Sequence, residues 1–344
     1  MGEIDALLRH QTCHALGMLT PIGATITTKG ARFRVWAPKA KTVELFLPGP
    51  SELTLPMKQH PEHYWELHLP DAKPGLRYYY KLDGVHQYPD PASRYQPEGV
   101  HGASALVDPE YNWTDQGWCG LTLQHHVFYE LHVGTFTQEG TFDAVIPHLP
   151  KLKDLGITAI ELMPIAQFPG KRNWGYDGVY LFAPQCSYGG PAGLKNLVNA
   201  AHAHGLAIIL DVVYNHLGPE GNYLNNFGHY FTDCHKTPWG DAMNLDGPDS
   251  GPVREFFLQN VEYWIREYHI DGLRLDAVHE IHDESPVHLL ADIQQRATDL
   301  ASSLNRHVNI IAECDANNSR YLAAQELGGY GLQGQWLDDF HHAL

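Results

Sequence analysis

From Val127 onward, short apolar runs alternate with stretches of helical spacing. VFYELHVGTF (127–136), ITAIELMPI (157–165), LAIILDVV (206–213), DGLRLDAV (271–278) and HVNIIAEC (307–314) read as strands, with a sixth near 333–337. Between them, FDAVIPHLPKLKDLG (142–156), PAGLKNLVNAAHAHG (191–205), PVREFFLQNVEYWIREYH (252–269) and SPVHLLADIQQRATDLASSL (285–304) read as helices, with a shorter one around 319–328. Pro147 and Pro150 weaken the first helix, while Gly156 and Gly205 suit helix C-terminal caps. Strands that alternate with helices form βαβ units around a parallel sheet. These strands are apolar on both faces, as in a sheet covered on both sides. Such a sheet closes into a barrel or stays open and doubly wound. No glycine-rich phosphate loop follows the first strand, which counts against a nucleotide-binding sheet. Polar residues recur at the ends of several strands, which favours a (β/α)8 barrel with its site on the C-terminal face.

The region before Val127 has a different rhythm. ARFRVWAP (31–38), KTVELFLP (41–48), HYWELHLP (63–70) and LRYYYKLDG (76–84) alternate apolar and polar residues, with Pro and Gly between them. That is the pattern of half-buried strands in a small all-β, immunoglobulin-like sandwich. The expected organisation is a leader at 1–20, the sandwich at 21–108, a linker at 109–126 and the α/β barrel at 127–344. An excursion after the third barrel strand covers about 214–252. At most six strands fall after Val127, whereas a closed barrel takes eight strands and about 250 residues. The expectation is therefore an incomplete barrel that stops before strands seven and eight.

Charge narrows the partners. The formal net charge of −17 comes from 40 Asp+Glu against 23 Lys+Arg. Such a surface repels nucleic acid and anionic membranes and suits a neutral or cationic ligand. Five scattered cysteines (Cys13, Cys119, Cys186, Cys234, Cys314) show no metal-ligand spacing and read as reduced thiols, which points to a cytoplasmic protein. The first 20 residues lack the apolar core of a signal peptide, and no run of about 18 apolar residues exists to span a membrane.

Three strand ends concentrate the chemistry: DVVYNH (211–216), GLRLDAVHE (272–280) and IIAEC (310–314). Side chains alternate along a strand, so Arg274 and Asp276 share a face. The guanidinium would keep Asp276 ionised and oriented, as a nucleophile requires. Glu313 ends the next strand and follows Ile310, Ile311 and Ala312. Apolar surroundings of that kind would raise its pKa and make it a general acid. A carboxyl pair about 5–5.5 Å apart is what retaining glycoside hydrolysis uses. A lone carboxylate at a strand end is more often structural. Two of them with an arginine on consecutive strands reverse that expectation. Asp211 either caps its strand and holds Arg274 or joins the site. His216 and His279 are either core histidines or donors to sugar hydroxyls.

These segments resemble the first three signature regions of the α-amylase superfamily. The resemblance implies Asp276 as nucleophile, Glu313 as general acid/base and Arg274 as the arginine beside the nucleophile. It also implies Asn215, His216 and His279 as supporting and sugar-binding residues. Tyr176, within NWGYDGVYLFAP, resembles the tyrosine that stacks on the sugar at the cleavage point. Asn215 matches a calcium-binding position, but no set of partner oxygens accompanies it, so no metal or organic cofactor is expected.

RFRVWAP, DPASRYQPEGVHGAS, YNHLGPEGNYL and QWLDDFHHAL resemble the trehalohydrolases that act on maltooligosyltrehalose. That implies hydrolysis of the α-1,4 bond next to a terminal trehalose unit. It also implies a maltooligosyltrehalose synthase as pathway partner, and Asp338, Asp339, Phe340, His341 and His342 as residues lining the cleft. A glucan-branching transferase and an inactive glucan-binding fragment are the alternatives. Cys314 and Ala316 stand where those relatives more often have Ser and Leu, and Glu280 stands where a small residue is usual. No Asn-His-Asp run follows Glu313, so the third carboxylate of the family is expected beyond this stretch.

Overall fold

The computed structural model describes residues 20–344, leaving out the side chains of Asp338 and His341. The leader expected at 1–20 therefore falls, apart from Thr20, outside the described residues, as does Cys13. The first nine strands are β1 (Gly23–Thr27), β2 (Gly30–Trp36), β3 (Val43–Leu47), β4 (Leu53–Pro56), β5 (Lys58–Gln59), β6 (Tyr64–Pro70), β7 (Arg77–Leu82), β8 (His86–Tyr88) and β9 (Ser104–Ala105). They pair antiparallel into two sheets, β1-β2-β6-β5 and β4-β3-β7-β8, with β9 on β7. Alternation does the sorting: Ala31, Phe33 and Val35 of β2 and Tyr78, Tyr80 and Leu82 of β7 turn inward. Asp90 is buried against this core and accepts hydrogen bonds from Tyr78 (2.8 Å) and Tyr80 (3.4 Å).

The remaining strands are β10 (Phe128–Leu131), β11 (Ala159–Leu162), β12 (Ala166–Gln167), β13 (Tyr180–Pro184), β14 (Ala207–Val212), β15 (Phe231–Thr237), β16 (Gly240–Met243), β17 (Gly272–Leu275), β18 (Asn309–Cys314) and β19 (Gly334–Leu337). Six of them form one parallel sheet in chain order, β10-β11-β14-β17-β18-β19. The sheet curls into a half-barrel far enough for Trp336 of β19 to meet Phe128 of β10 edge to face, 4.9 Å between ring centroids. The outer face presents Ile160, Leu162, Ile208, Leu210, Leu273, Leu275 and Ile310 to the main core. Three long helices, Gly190–Ala203, Ser250–Glu267 and Leu289–Leu304, supply much of the rest of that core. The inner face is lined by Ala159, Ala207, Ile209 and Ile311, with Phe128 and Trp336 packed against them.

Residues 109–126 form a strap under the N-terminal ends of these strands. Lys195 donates to the Pro109 carbonyl (3.1 Å), Thr114 N donates to Asn199 (2.9 Å), and His307 N donates to the Cys119 carbonyl (2.7 Å). Trp118, Leu121 and Leu123 pack against the inner cluster and floor the half-barrel. The sandwich meets the excursion after β14: Trp36 packs edge to face on Tyr230 at 5.1 Å, and Lys39 N donates to the Phe227 carbonyl at 3.2 Å.

Some expected elements differ. The strand expected at 127–136 stops at Leu131, and Val133–Phe136 is a helical turn. Gly134 lets this turn pack closely on Tyr188, since a Cβ there would come to 3.0 Å from the Tyr188 ring. Pro147 and Pro150 split the helix expected at 142–156 into Phe142–Val145, a tight turn at Ile146–His148, and Leu149–Asp154. The helix expected from Ser285 begins at Leu289, where the His288 side chain accepts from Leu290 N. The segment at 319–328 holds two short 3-10 turns. The hairpins β12–β13 and β15–β16 were not foreseen.

Candidate active site

Register assembles the site. Asp211 of β14 pairs with Arg274 of β17, and Arg274 pairs with Ile311 of β18. Glu313 lies two residues beyond Ile311 on the same face and pairs with Trp336 of β19. The inner face therefore changes character along the strands, from apolar near the floor to charged at the C-terminal ends.

Arg274 is the hub. Its Nη1 donates to Asp211 Oδ2 and to Asp276 Oδ1, each at 2.8 Å. Its Nη2 lies 3.6 Å from Glu313 Oε2, and its Nε lies 4.0 Å from Glu161 Oε1. One guanidinium thus faces four carboxylates. Asp276 is held through its second oxygen as well, by Asn215 Nδ2 at 3.0 Å, and the same amide donates to the Asp276 carbonyl at 2.7 Å. Glu313 Oε2 accepts the Ala277 backbone N–H at 2.7 Å. Ala277 itself adopts a left-handed conformation, φ +40°, which turns the chain sharply after Asp276. The carboxylate of Glu313 is met by polar groups, the Ala277 N–H and Arg274, and not by the apolar setting expected for it. The apolar residues before it lie deeper along the strand.

Four carboxylates around one cation in a buried site do not all ionise freely. Burial pushes Asp211 up to about 8, against the pull of Arg274 and with a further push from Asp276. Burial likewise raises Glu161 to about 7; Arg274 opposes the shift and Glu130 adds to it. Tyr176 donates to Asp211 Oδ2 at 3.0 Å, and its own hydroxyl is driven far up by burial and then by the Asp211 charge. His216 bonds the Tyr176 carbonyl at 2.9 Å and stacks on Trp239 at 4.2 Å. Trp239 is half exposed.

The structure thus brings together Asp276, Glu313, Arg274, Asp211, Asn215, His216 and Tyr176. His279 stands apart from the hub, on the turn Val278–Glu280, beside Cys314 and Asp315. Asp338, Asp339, Phe340, His341 and His342 fall on the short helix Asp338–Ala343 directly after β19. Asp339, Phe340 and His342 are exposed there, Phe340 at 68%. Glu161 was missed. It is buried, it faces Arg274, and it accepts from Trp336 Nε1 at 3.1 Å. A single carboxylate inside the apolar run ITAIELMPI was the signal available for it.

Two carboxylates on neighbouring strand ends, each held by Arg274 and by a second donor, are a pair of the kind that double displacement at a glycosidic carbon uses. Comparison with known proteins agrees with this architecture. Residues 106–241 match the model for the alpha amylase catalytic domain, and residues 21–98 match carbohydrate-binding module 48, the isoamylase N-terminal domain. The malto-oligosyltrehalose trehalohydrolase of Saccharolobus solfataricus is 51% identical over 322 residues, 94% of this chain and 56% of that protein. A 1,4-alpha-glucan branching enzyme of Pseudoalteromonas atlantica is 33% identical over 295 residues, 76% of this chain and 39% of that protein. A solved structure of a provisional alpha amylase from Salmonella typhimurium superposes with a TM-score of 0.87 at 40% identity, covering 95% of this chain and 55% of that one. The chain spans about half the length of the curated trehalohydrolase it matches. It belongs to the α-amylase family, with an N-terminal carbohydrate-binding module 48 sandwich set before a catalytic half-barrel.

Proposed function

We propose that this site, in the full-length protein, hydrolyses the α-1,4-glucosidic bond next to the terminal trehalose of maltooligosyltrehalose with retention of configuration. The observation that carries the reading is the shared grip of Arg274 on Asp276 and Glu313 at adjacent strand ends. Asp276, oriented by Arg274 and Asn215, attacks the anomeric carbon. Glu313 protonates the departing glycosidic oxygen, then takes a proton from the water that releases the glycosyl group. Asp211 and Glu161 hold Arg274 in place. Tyr176, His216 and His279 bind the sugar, together with the helix that carries Asp338, Asp339, Phe340, His341 and His342. The trehalohydrolase relative supports the choice of substrate. A maltooligosyltrehalose synthase would supply that substrate, in the cytoplasm. Among the described residues, no helix is long and apolar enough to cross a membrane.

The second reading, transfer to a glucan hydroxyl, draws on the branching-enzyme relative. It uses the same covalent intermediate and differs only in the acceptor. Incubating the full-length protein with maltooligosyltrehalose separates the two. Free trehalose is the expected product; new branch points without trehalose would overturn the hydrolytic reading.

A further inference from the structure

We propose that His279, Cys314 and Asp315 form a binding site for one borderline-soft divalent cation of the zinc class. One ligand atom from each side chain lies within 4.8 Å of the others. His279 sits on the turn after β17, while Cys314 and Asp315 sit at the end of β18. The three residues thus come from two neighbouring strand ends, 35 and 36 residues apart in the chain, so no local spacing announces them. An imidazole, a thiolate and a carboxylate match zinc or cobalt, whereas calcium and magnesium take oxygen ligands throughout.

The sulfur is held in position by its neighbours. The Ala316 backbone N–H donates to Cys314 Sγ at 3.2 Å, and Cys314 Sγ donates to the Tyr321 hydroxyl oxygen at 3.5 Å. Cys314 is buried while His279 and Asp315 are exposed, so the metal would be anchored from below and open to solvent above. That leaves a position for water or a fourth ligand. Glu280, 4.0 Å from His279 Nε2, adds negative charge beside the ligands. A bound ion would tie the loop after Asp276 to the loop after Glu313, and so fix the two sides of the cleft to each other. The proposal gives His279 a role in place of sugar binding and does not depend on the catalytic roles of Asp276 and Glu313.

The test uses the chain as it is, with Co2+ as a spectroscopic probe under reducing conditions. One equivalent is expected to give a thiolate-to-cobalt charge-transfer band that added Zn2+ abolishes. Cys314→Ser is expected to lose the band, and His279→Ala to weaken Co2+ binding at least tenfold. His279 is exposed, so its removal leaves the core intact and keeps the test open should serine at 314 unfold the chain. Absence of the band in the wild-type chain would overturn the proposal. So would a band of full strength in Cys314→Ser, which places the ion on another cysteine, or unchanged affinity in His279→Ala, which removes His279 from the ligand set.

Discussion

The two ends of the half-barrel solve opposite electrostatic problems with similar parts. At the N-terminal end, His202 bridges Asp115 (2.7 Å) and Asp271 (2.9 Å), His269 adds a second contact to Asp115 (2.8 Å), and Arg306 and Trp118 reach Asp271 at 2.8 and 2.7 Å. Charges there are matched. Burial alone would raise Asp271, but the charge and hydrogen bond of His202, followed by Arg306, hold it below the usual carboxylate range. The hydrogen bonds of both histidines outweigh burial at Asp115 in the same way. His202 is raised, since Asp271 and the two hydrogen bonds overcome its desolvation. At the C-terminal end a single Arg274 serves four carboxylates, and there Asp211 and Glu161 are raised. Balance is what a fastening needs. An excess of carboxylate is held in place at some cost, and under the proposed function it leaves acids and a nucleophile available for chemistry. Conservation of shape at one face and of reactivity at the other is the division expected of such barrels.

The crowded end depends most on Asp276. In the full-length protein, Asp276→Asn is expected to reduce turnover by about four orders of magnitude or more while substrate binding survives. Paired kcat and binding measurements check this; joint loss of both would make Asp276 structural. Next in size is Arg274→Met, which leaves Asp211, Asp276, Glu161 and Glu313 without their cation. Loss of about 3–5 kcal/mol at pH 8 is expected in urea unfolding of this chain. The deficit should shrink at pH 5, where the raised carboxyls carry protons and no longer need the cation.

His202→Gln tests the other end, with an expected loss of about 2 kcal/mol near neutral pH. The sign of its pH dependence is set by the raised native pKa. The charged imidazole stabilises fully below its unfolded value of about 6.5 and less as pH climbs through the native value. The variant should lose that slope. Asp271 and Asp115, both lowered, stabilise above their unfolded values and lose this contribution as pH falls through the native ones. Glu161→Gln should have the smallest effect. Native Glu161 keeps its proton up to about 7, whereas the unfolded chain releases it near 4.5, so wild-type stability falls as pH rises through that window. Removing the acid should flatten the fall, so that the variant gains on wild type as pH rises from 5 to 8. Denaturation midpoints at pH 5 and pH 8 measure it.

Much of this was legible in the chain because it depends on local periodicity. Apolar runs such as LAIILDVV and HVNIIAEC declare doubly covered strands, and the two-residue step from Arg274 to Asp276 declares a shared face. Glu161 was not read, since its role appears only when the sheet curls and brings β11 beside Arg274 and Trp336. The bottom network joins Asp115 to His202 across 87 residues and Trp118 to Asp271 across 153. Nothing in the spacing of such distant polar residues marks them as partners. The strap at 109–126 looked like a linker for the same reason. Its lack of periodicity was real, but its contacts are tertiary.

Under the proposed function, the crowded end of the half-barrel is built to present Asp276 as a nucleophile. Trapping the intermediate tests it most directly. The full-length protein would be treated with a fluorinated maltooligosyl fluoride, which forms the glycosyl-enzyme but releases it slowly, and the labelled peptide identified by mass spectrometry. A single glycosyl adduct on Asp276 is the predicted result. An adduct on Glu313 or Asp211, or turnover of the reagent with inversion and no adduct, would show that Asp276 is not the nucleophile.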